Sequence, residues 1–274
     1  MESKAIKLMI PGPVQPEDEV LEAIGQPVRS HYGREFRDYY LETVECLKTV
    51  FDTKDDVFIL VGSGSSAIDA CIGSSLSANE KILVGVNGFF GQRACDIAQN
   101  YGLKVIPVEK HWGDALTADD FSEAFQKHPD ASAALLVHLE TSTTIVNPVE
   151  MIAPICHQND AICIVDAVSS LGGIPFHMDV WGIDLCASSS QKCLGAPPGL
   201  APVSVSKRGW DFIDRNPNKG HGWYLNLSVW RRYAHDWADW HPFPITMATN
   251  NLAALRTSTD SLLREGLKNR FDRY

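Results

Sequence analysis

The feature that most constrains this chain is a repeated alternation of short, continuous apolar runs with helical stretches. Val57-Phe-Ile-Leu-Val61 is followed by Gly62-Ser-Gly-Ser-Ser66 and a helical stretch to Leu76. Lys81-Ile-Leu-Val-Gly-Val86 leads to a helix from Gly91 to Tyr101, and Lys104 to Val108 to a helix from Thr117 to Lys127. Ala133-Ala-Leu-Leu-Val137 precedes a helix over Val149 to Gln158, and Ala161-Ile-Cys-Ile-Val165 ends in Asp166. Two further strand candidates follow, at Asp184 to Ser188 and Ala201 to Ser206. Apolar runs without polar alternation are buried on both faces. The predicted fold class is therefore α/β, a mainly parallel sheet with helices on both faces. Ligands of such sheets bind beyond the carboxyl ends of the strands, so the residues just after each run carry the functional interest.

The flanks read differently. Ile10-Pro-Gly-Pro13 is a fixed extended loop, because two prolines exclude helix and central strand. Pro16 to Ala23 opens a short helix, and Phe36 to Phe51 an amphipathic one with Tyr40, Val44, Leu47 and Phe51 on one face. Residues 210 to 244 are rich in Trp, Tyr, His and Pro, and read as long loops with short helices. Thr249 to Phe271 reads as one long helix bearing Leu252, Leu255, Leu262, Leu263 and Leu267. The expected division is an N-terminal arm with an active-site loop over 1–35, a large domain over 36–248, and a long helix over 249–274.

Composition excludes several classes. A formal net charge of −10 repels phosphate backbones, so nucleic acid is not an expected partner. The seven cysteines are odd in number and form no Cys-x-x-Cys pair, which argues against a disulfide framework and a structural zinc site. No His-Glu-x-x-His and no Gly-x-Ser-x-Gly occurs, so no metal is expected and a serine hydrolase is disfavoured. The amino terminus lacks a secretory apolar stretch, and no run is long enough to cross a bilayer. The expected location is the cytoplasm, without a membrane partner.

Three strand ends carry chemistry. Gly62-Ser-Gly-Ser-Ser66 before a helix is a phosphate cup, offering unpaired amides, hydroxyls and a positive dipole end. It also matches a dinucleotide fingerprint, but the second run ends Val86-Asn87-Gly88 instead of in the acid that a ribose requires. The bland alternative is that the glycines merely make a tight turn. Asp166 at a strand end needs a cation or several donors, and a protonated pyridine nitrogen is one such partner. A helix N-cap facing Ala167-Val-Ser-Ser170 explains it equally well. Lys192 lies in Ala187-Ser-Ser-Ser-Gln-Lys-Cys-Leu-Gly-Ala-Pro-Pro-Gly199, among residues with no surface-charge character. A lysine near an apolar or cationic site loses basicity and becomes a nucleophile toward aldehydes. Most single lysines are merely solvated surface groups. Phe89 and Phe90 follow the second run, and Thr141, Ser142 and Thr143 the fourth; stacking and hydrogen bonding stand there beside core packing and helix capping.

Together these segments resemble the class V aminotransferases of the pyridoxal-phosphate fold type I, in the alanine–glyoxylate and serine–pyruvate branch. The resemblance is carried by Pro11-Gly-Pro13, Gly62-Ser-Gly64, Gly88-Phe-Phe-Gly-Gln-Arg93, Val165-Asp-Ala-Val-Ser-Ser-Leu-Gly-Gly173, Asp179-Val-Trp-Gly-Ile-Asp184 and Ser190-Gln-Lys-Cys-Leu-Gly-Ala-Pro-Pro-Gly199. It implies pyridoxal 5'-phosphate as cofactor and an amino acid and a 2-oxo acid as substrates. It implies Lys192 as the Schiff-base lysine and Asp166 as the partner of the pyridinium nitrogen. Ser63, Gly64 and Ser65 would hold the phosphate, with Gln191 assisting. Phe90 would stack on the ring, and Thr141 would lie near the phenolic oxygen. Thr246 would reach the phosphate of a second subunit, making a homodimer with shared active sites.

Family members continue into a further small domain that carries a carboxylate-clamping arginine, so that domain is expected to be absent and no arginine here is assigned the clamp. Its loss is expected to expose the leucines of the 249–271 helix. The resemblance leaves three alternatives: pyridoxamine–pyruvate aminotransferase, which takes the vitamin without phosphate; a lyase or desulfurase using the same cofactor; and a truncated non-catalytic homologue. The intact serine cup favours a phosphate-bearing cofactor.

Overall fold

The computed structural model describes residues 8–216 and 222–273; the first seven residues of the expected N-terminal arm lie outside them. The chain begins with α1 (Asp18–Ile24) and α2 (Arg34–Phe51), then β1 (Asp56–Gly62), α3 (Gly64–Ser75), β2 (Lys81–Val86), α4 (Phe89–Asn100) and β3 (Lys104–Glu109). It continues through α5 (Ala118–Lys127), β4 (Ala131–Val137), the short strands β5 (Leu139–Glu140) and β6 (Ile145–Val146), α6 (Val149–Gln158) and β7 (Ile162–Asp166). A helical turn α7 (Met178–Trp181), β8 (Leu185–Ala187), β9 (Gly199–Val205), α8 (Lys207–Arg215), α9 (Leu227–Asp236), α10 (Thr249–Glu265) and α11 (Leu267–Arg273) complete it.

Seven strands form one sheet in the order β1-β9-β8-β7-β4-β2-β3. The pairs β2–β3, β2–β4, β4–β7 and β7–β8 are parallel. Strand β9 runs antiparallel to both neighbours, β8 and β1. Two reversals cancel, so β1 points the same way as β7, β4 and β2. The carboxyl ends of β1, β2, β4, β7 and β8 therefore share one edge of the sheet, and the segments after them converge there.

The apolar runs explain the burial. Ile59, Leu60, Ile82, Leu83, Leu135, Leu136, Ile164 and Val165 are fully buried, as expected of strands covered on both faces. Thr117 begins α5 with a capping box: its hydroxyl accepts from the Asp120 amide and the Asp120 carboxylate accepts from the Thr117 amide. Among the described residues, no helix is long and apolar enough to cross a membrane.

Two expectations for the C-terminal stretch are corrected. The single helix is broken at Gly266, whose φ of +84° lies where glycine is favoured, giving α10 and α11. The leucines are not an exposed face. Leu252, Leu255 and Leu262 are fully buried, and Leu263 and Leu267 pack against the core. The 3.6-residue period marks a buried face without saying what covers it; here α10 packs against both α1 and α2.

Candidate active site

A cavity of about 280 Å³ opens at the shared strand edge. It is lined by Ser63, Gly64 and Ser65 after β1, Phe90 and Arg93 on α4, Asp166 and Val168 at the end of β7, and Gln191 and Lys192 between β8 and β9. A larger open hollow of about 680 Å³ lies along α2, lined by Arg29, Tyr32, Glu35, Asp38 and Tyr39, and contains none of these groups. Chemistry, not size, distinguishes the first.

Asp166 is 9% exposed. Among the described residues, its carboxylate is held by the backbone amide of Val168 at 2.9 Å. Burial raises its pKa to about 6. A carboxylate kept in this state fits a cationic partner brought by a ligand. The N-cap reading is thus partly met, since Val168 does donate to it, but one amide leaves most of the charge uncompensated.

Lys192 is half-buried, and its Nζ donates to the carbonyl of Pro11 at 3.1 Å. Burial lowers its pKa, which raises the share of nucleophilic neutral amine. The Pro11-Gly-Pro13 loop lies directly on this side chain. A Cβ at Gly12 would come within 2.6 Å of Lys192 Cδ, and the Gly12 φ is +146°. The loop is tied down where the Val14 amide donates to the Gln191 carbonyl at 3.0 Å.

The cup at Ser63–Ser65 is the amino end of α3, with Ser63 as N-cap and no side-chain cap. That leaves the Gly64 and Ser65 amides for an anion, while the Ser66 amide already donates to the Ser63 carbonyl at 2.8 Å. Gly64 packs so closely on Val168 that a Cβ would lie 2.6 Å from that side chain. Gln191 has a buried amide oxygen without a hydrogen-bond partner, which suits a site completed by a ligand. An anion cup, a cation-seeking carboxylate and a nucleophilic amine in one cavity fit a phosphorylated pyridine aldehyde.

Thr141 and Thr246 stand apart from these. Thr141 does not line the cavity; its hydroxyl lies 2.5 Å from that of Ser169, three residues beyond Asp166. Thr246 is exposed and also absent from the cavity lining.

Four residues were not singled out from sequence. Arg93 projects into the cavity with its guanidinium 4.9 Å from the ring centres of both Phe89 and Phe90, and Nη1 3.5 Å from Ser65 Oγ. Helical spacing was its signal, because positions 89, 90 and 93 share a face. Glu140 is fully buried at the end of β5, and its two carboxylate oxygens hold the start of α4 and Ser142. Arg270, on α11, is buried against the turn that follows Lys192. His138 is buried beside Ser170 and kept neutral, its pKa lowered to about 4 by burial. Among the described residues, no cluster could hold a metal ion.

Comparison with known proteins shows the family and the fold. The family described as "Aminotransferase class-V" matches residues 17–223. An uncharacterized aminotransferase of Methanocaldococcus jannaschii is 38% identical over 276 residues, covering all of this chain and 71% of that protein. The ureidoglycine–glyoxylate aminotransferase of Bacillus subtilis superposes with a TM-score of 0.93 at 31% identity, over all of this chain and 70% of that one. An alanine–glyoxylate aminotransferase from Nostoc sp. gives a TM-score of 0.94 at 31% identity, covering all of this chain and 72% of that one. The chain thus spans about 70% of the length of these relatives, and it belongs to the class-V aminotransferase family.

Proposed function

We propose that this chain binds pyridoxal 5'-phosphate in the cavity and moves an amino group from a small amino acid of the alanine or serine type to a 2-oxo acid such as glyoxylate or pyruvate. The observation that carries this reading is the meeting of Asp166, Lys192 and the α3 amino end in one cavity.

Lys192 would hold the cofactor through its amine, and Asp166 would hold the protonated ring nitrogen. Ser63, Gly64 and Ser65, with Gln191, would receive the phosphate, and Arg93 adds positive charge beside them. Phe90 presents an aromatic face to the same space. Thr141 acts from behind Ser169, and Thr246 would serve a second subunit. When bound, the cofactor supplies an electron-withdrawing ring that acidifies the amino acid's α-proton. Lys192 is placed to take that proton and return it, because burial shifts its amine toward the neutral form. Asp166, ionised opposite a cation, keeps the ring electron-poor. The side chains around the cavity, Ile68, Ala94, Ile97 and Val168, exclude water from the ring's surroundings. Among the described residues, no cysteine lines the cavity.

The same reading makes 36–248 the cofactor-binding body, with the Pro11-Gly-Pro13 loop of the 1–35 arm over Lys192. The working unit would be a dimer. The test has two arms on the purified protein with pyridoxal 5'-phosphate: borohydride reduction with peptide mapping and, on unreduced protein, single-turnover amine transfer from alanine to glyoxylate. The pyridoxyl group is expected on Lys192. Label on another lysine overturns the assignment.

A further inference from the structure

We infer that Arg270 is a positioning residue for Lys192, clamping together the two turns that carry Lys192 and Asp166. This rests on the reading of Lys192 as the lysine that bonds the cofactor.

The guanidinium of Arg270 donates from Nε to the carbonyl of Gly172 at 2.9 Å and from Nη2 to the carbonyl of Cys193 at 2.6 Å. Gly172 lies in the turns that follow Asp166 at the end of β7, and Cys193 is the residue after Lys192. One rigid, planar group thus fixes the distance between the two loops, which a flexible ammonium does not do. Nη1 meets the Glu265 carboxylate at 3.0 Å, so the arginine is itself held in its rotamer. The residue is 7% exposed, and a buried guanidinium is tolerated only with well-placed acceptors.

The surroundings serve the same loop. Ser258 of α10 donates its hydroxyl to the Leu194 carbonyl. The Lys192 carbonyl accepts from the Gly195 amide at 2.9 Å, closing a turn in which Gly195 has φ +78°. Cys193 Sγ donates to the Ser169 carbonyl at 3.4 Å, joining the two turns a second time. The break at Gly266 is what aims Arg270 inward. A continuous helix through residue 271 would carry position 270 along the axis of α10 instead of back toward Gly172. The non-helical φ at Gly266 and the buried arginine four residues later are therefore parts of one device.

Hydrogen exchange of the cofactor-free protein tests the clamp, with Arg270→Gln and Arg270→Lys beside the wild type. In Arg270→Gln, amides of both 168–173 and 190–196 are expected to exchange roughly 10- to 100-fold faster, as befits two lost buried hydrogen bonds, with β4 and β7 unchanged. The bimolecular rate at which Lys192 bonds pyridoxal 5'-phosphate, followed by absorbance, is expected to fall on the order of tenfold or more. Arg270→Lys is expected to recover part of that rate, since an ammonium reaches one carbonyl of the two. Faster exchange confined to α11, or a bonding rate equal to wild type in a folded Arg270→Gln protein, overturns the inference. Wild-type protein that bonds the cofactor at another lysine overturns the reading of the site itself. The exchange result is read without cofactor, so the two failures are distinguishable.

Discussion

The carboxylate of Glu140 accepts the backbone amide of Phe90 at 3.0 Å. The same oxygen takes the Gly91 amide at 3.1 Å, while the other accepts from the amide and hydroxyl of Ser142. A strand-end side chain on β5 thereby caps α4, which carries the aromatic and cationic wall of the cavity. Negative charge at a helix amino end is favourable, and a buried carboxylate with four donors is well satisfied. Glu140→Gln turns an NH2 group toward donors and leaves at least one of them unpaired. Such a loss costs about 1–3 kcal/mol. Urea unfolding of the variant is expected to show that loss, with weaker cofactor retention because Phe90 is no longer fixed. Unchanged stability would mean that the cap is dispensable and that α4 is placed by packing alone.

Asp166 gives a prediction with opposite signs in the empty and loaded protein. Its folded carboxyl titrates near pH 6, against an ordinary value of 3.8. Between these values the folded state holds the proton that the unfolded state releases. The cofactor-free protein therefore loses stability as pH rises from about 4 to about 6 and remains lower above, by at most about 3 kcal/mol. Asp166→Asn removes the charge, so the cofactor-free variant is expected to melt above the wild type at pH 7.5 and to match it below pH 4. With pyridoxal 5'-phosphate bound, the order reverses, and amine transfer falls steeply because an amide does not stabilise a ring cation. A variant that melts below wild type without cofactor at pH 7.5 would show that Asp166 acts as a structural cap.

Gly12 is a steric test of the loop over Lys192. A Cβ there would meet Cδ, Cε and Nζ of Lys192 within 2.9 Å, at a backbone conformation that side chains rarely adopt. Overpacking of this kind costs about 1–3 kcal/mol, and relief comes by moving either the loop or the lysine. Gly12→Ala is expected to slow the bonding of Lys192 to the cofactor more than it lowers the unfolding midpoint. Normal bonding kinetics would show that the loop does not govern the amine.

Much of this was legible in the sequence, for identifiable reasons. Five apolar runs and their helices recur as β1, β2, β3, β4 and β7; burial on both faces leaves an unbroken signature in β2, β4 and β7, whereas β3 is a partly exposed edge strand. Asp166 and Lys192 could be placed because they interrupt apolar or small-residue context at strand ends. The direction of β9 was not legible, since an apolar run carries no sign of its pairing partner. Glu140 and Arg270 were missed because each acts on residues distant in sequence, Glu140 on α4 and Arg270 on Gly172. Their local context reads as an ordinary strand end and an ordinary helical charge. The helix break at Gly266 is visible in hindsight as a lone glycine in a helical pattern, but the pattern of leucines continues across it.

Arg93 allows the roles of charge and aromatic contact in the cavity to be separated. Its guanidinium lies over Phe89 and Phe90, and its Nη1 approaches the hydroxyl of Ser65, on the first turn of α3. An anion seated on that turn would face both the helix dipole and this cation. Hydrogen bonds to charged groups contribute about 1.5–3 kcal/mol, or roughly tenfold to more than a hundredfold in affinity. Arg93→Gln is therefore expected to weaken binding of pyridoxal 5'-phosphate by that factor. It should leave binding of pyridoxal, which lacks the phosphate, within about twofold. Equilibrium titration of both forms against wild type and variant gives the coupling directly. Equal losses for the two forms would place the effect in the stacking of Phe90 instead. A loss seen only as a raised KM for the amino acid, with both cofactor affinities intact, would make Arg93 the carboxylate-binding group of this chain. The chosen outcome follows from geometry: the arginine approaches Ser65 while its flat face is already occupied by the two phenyl rings.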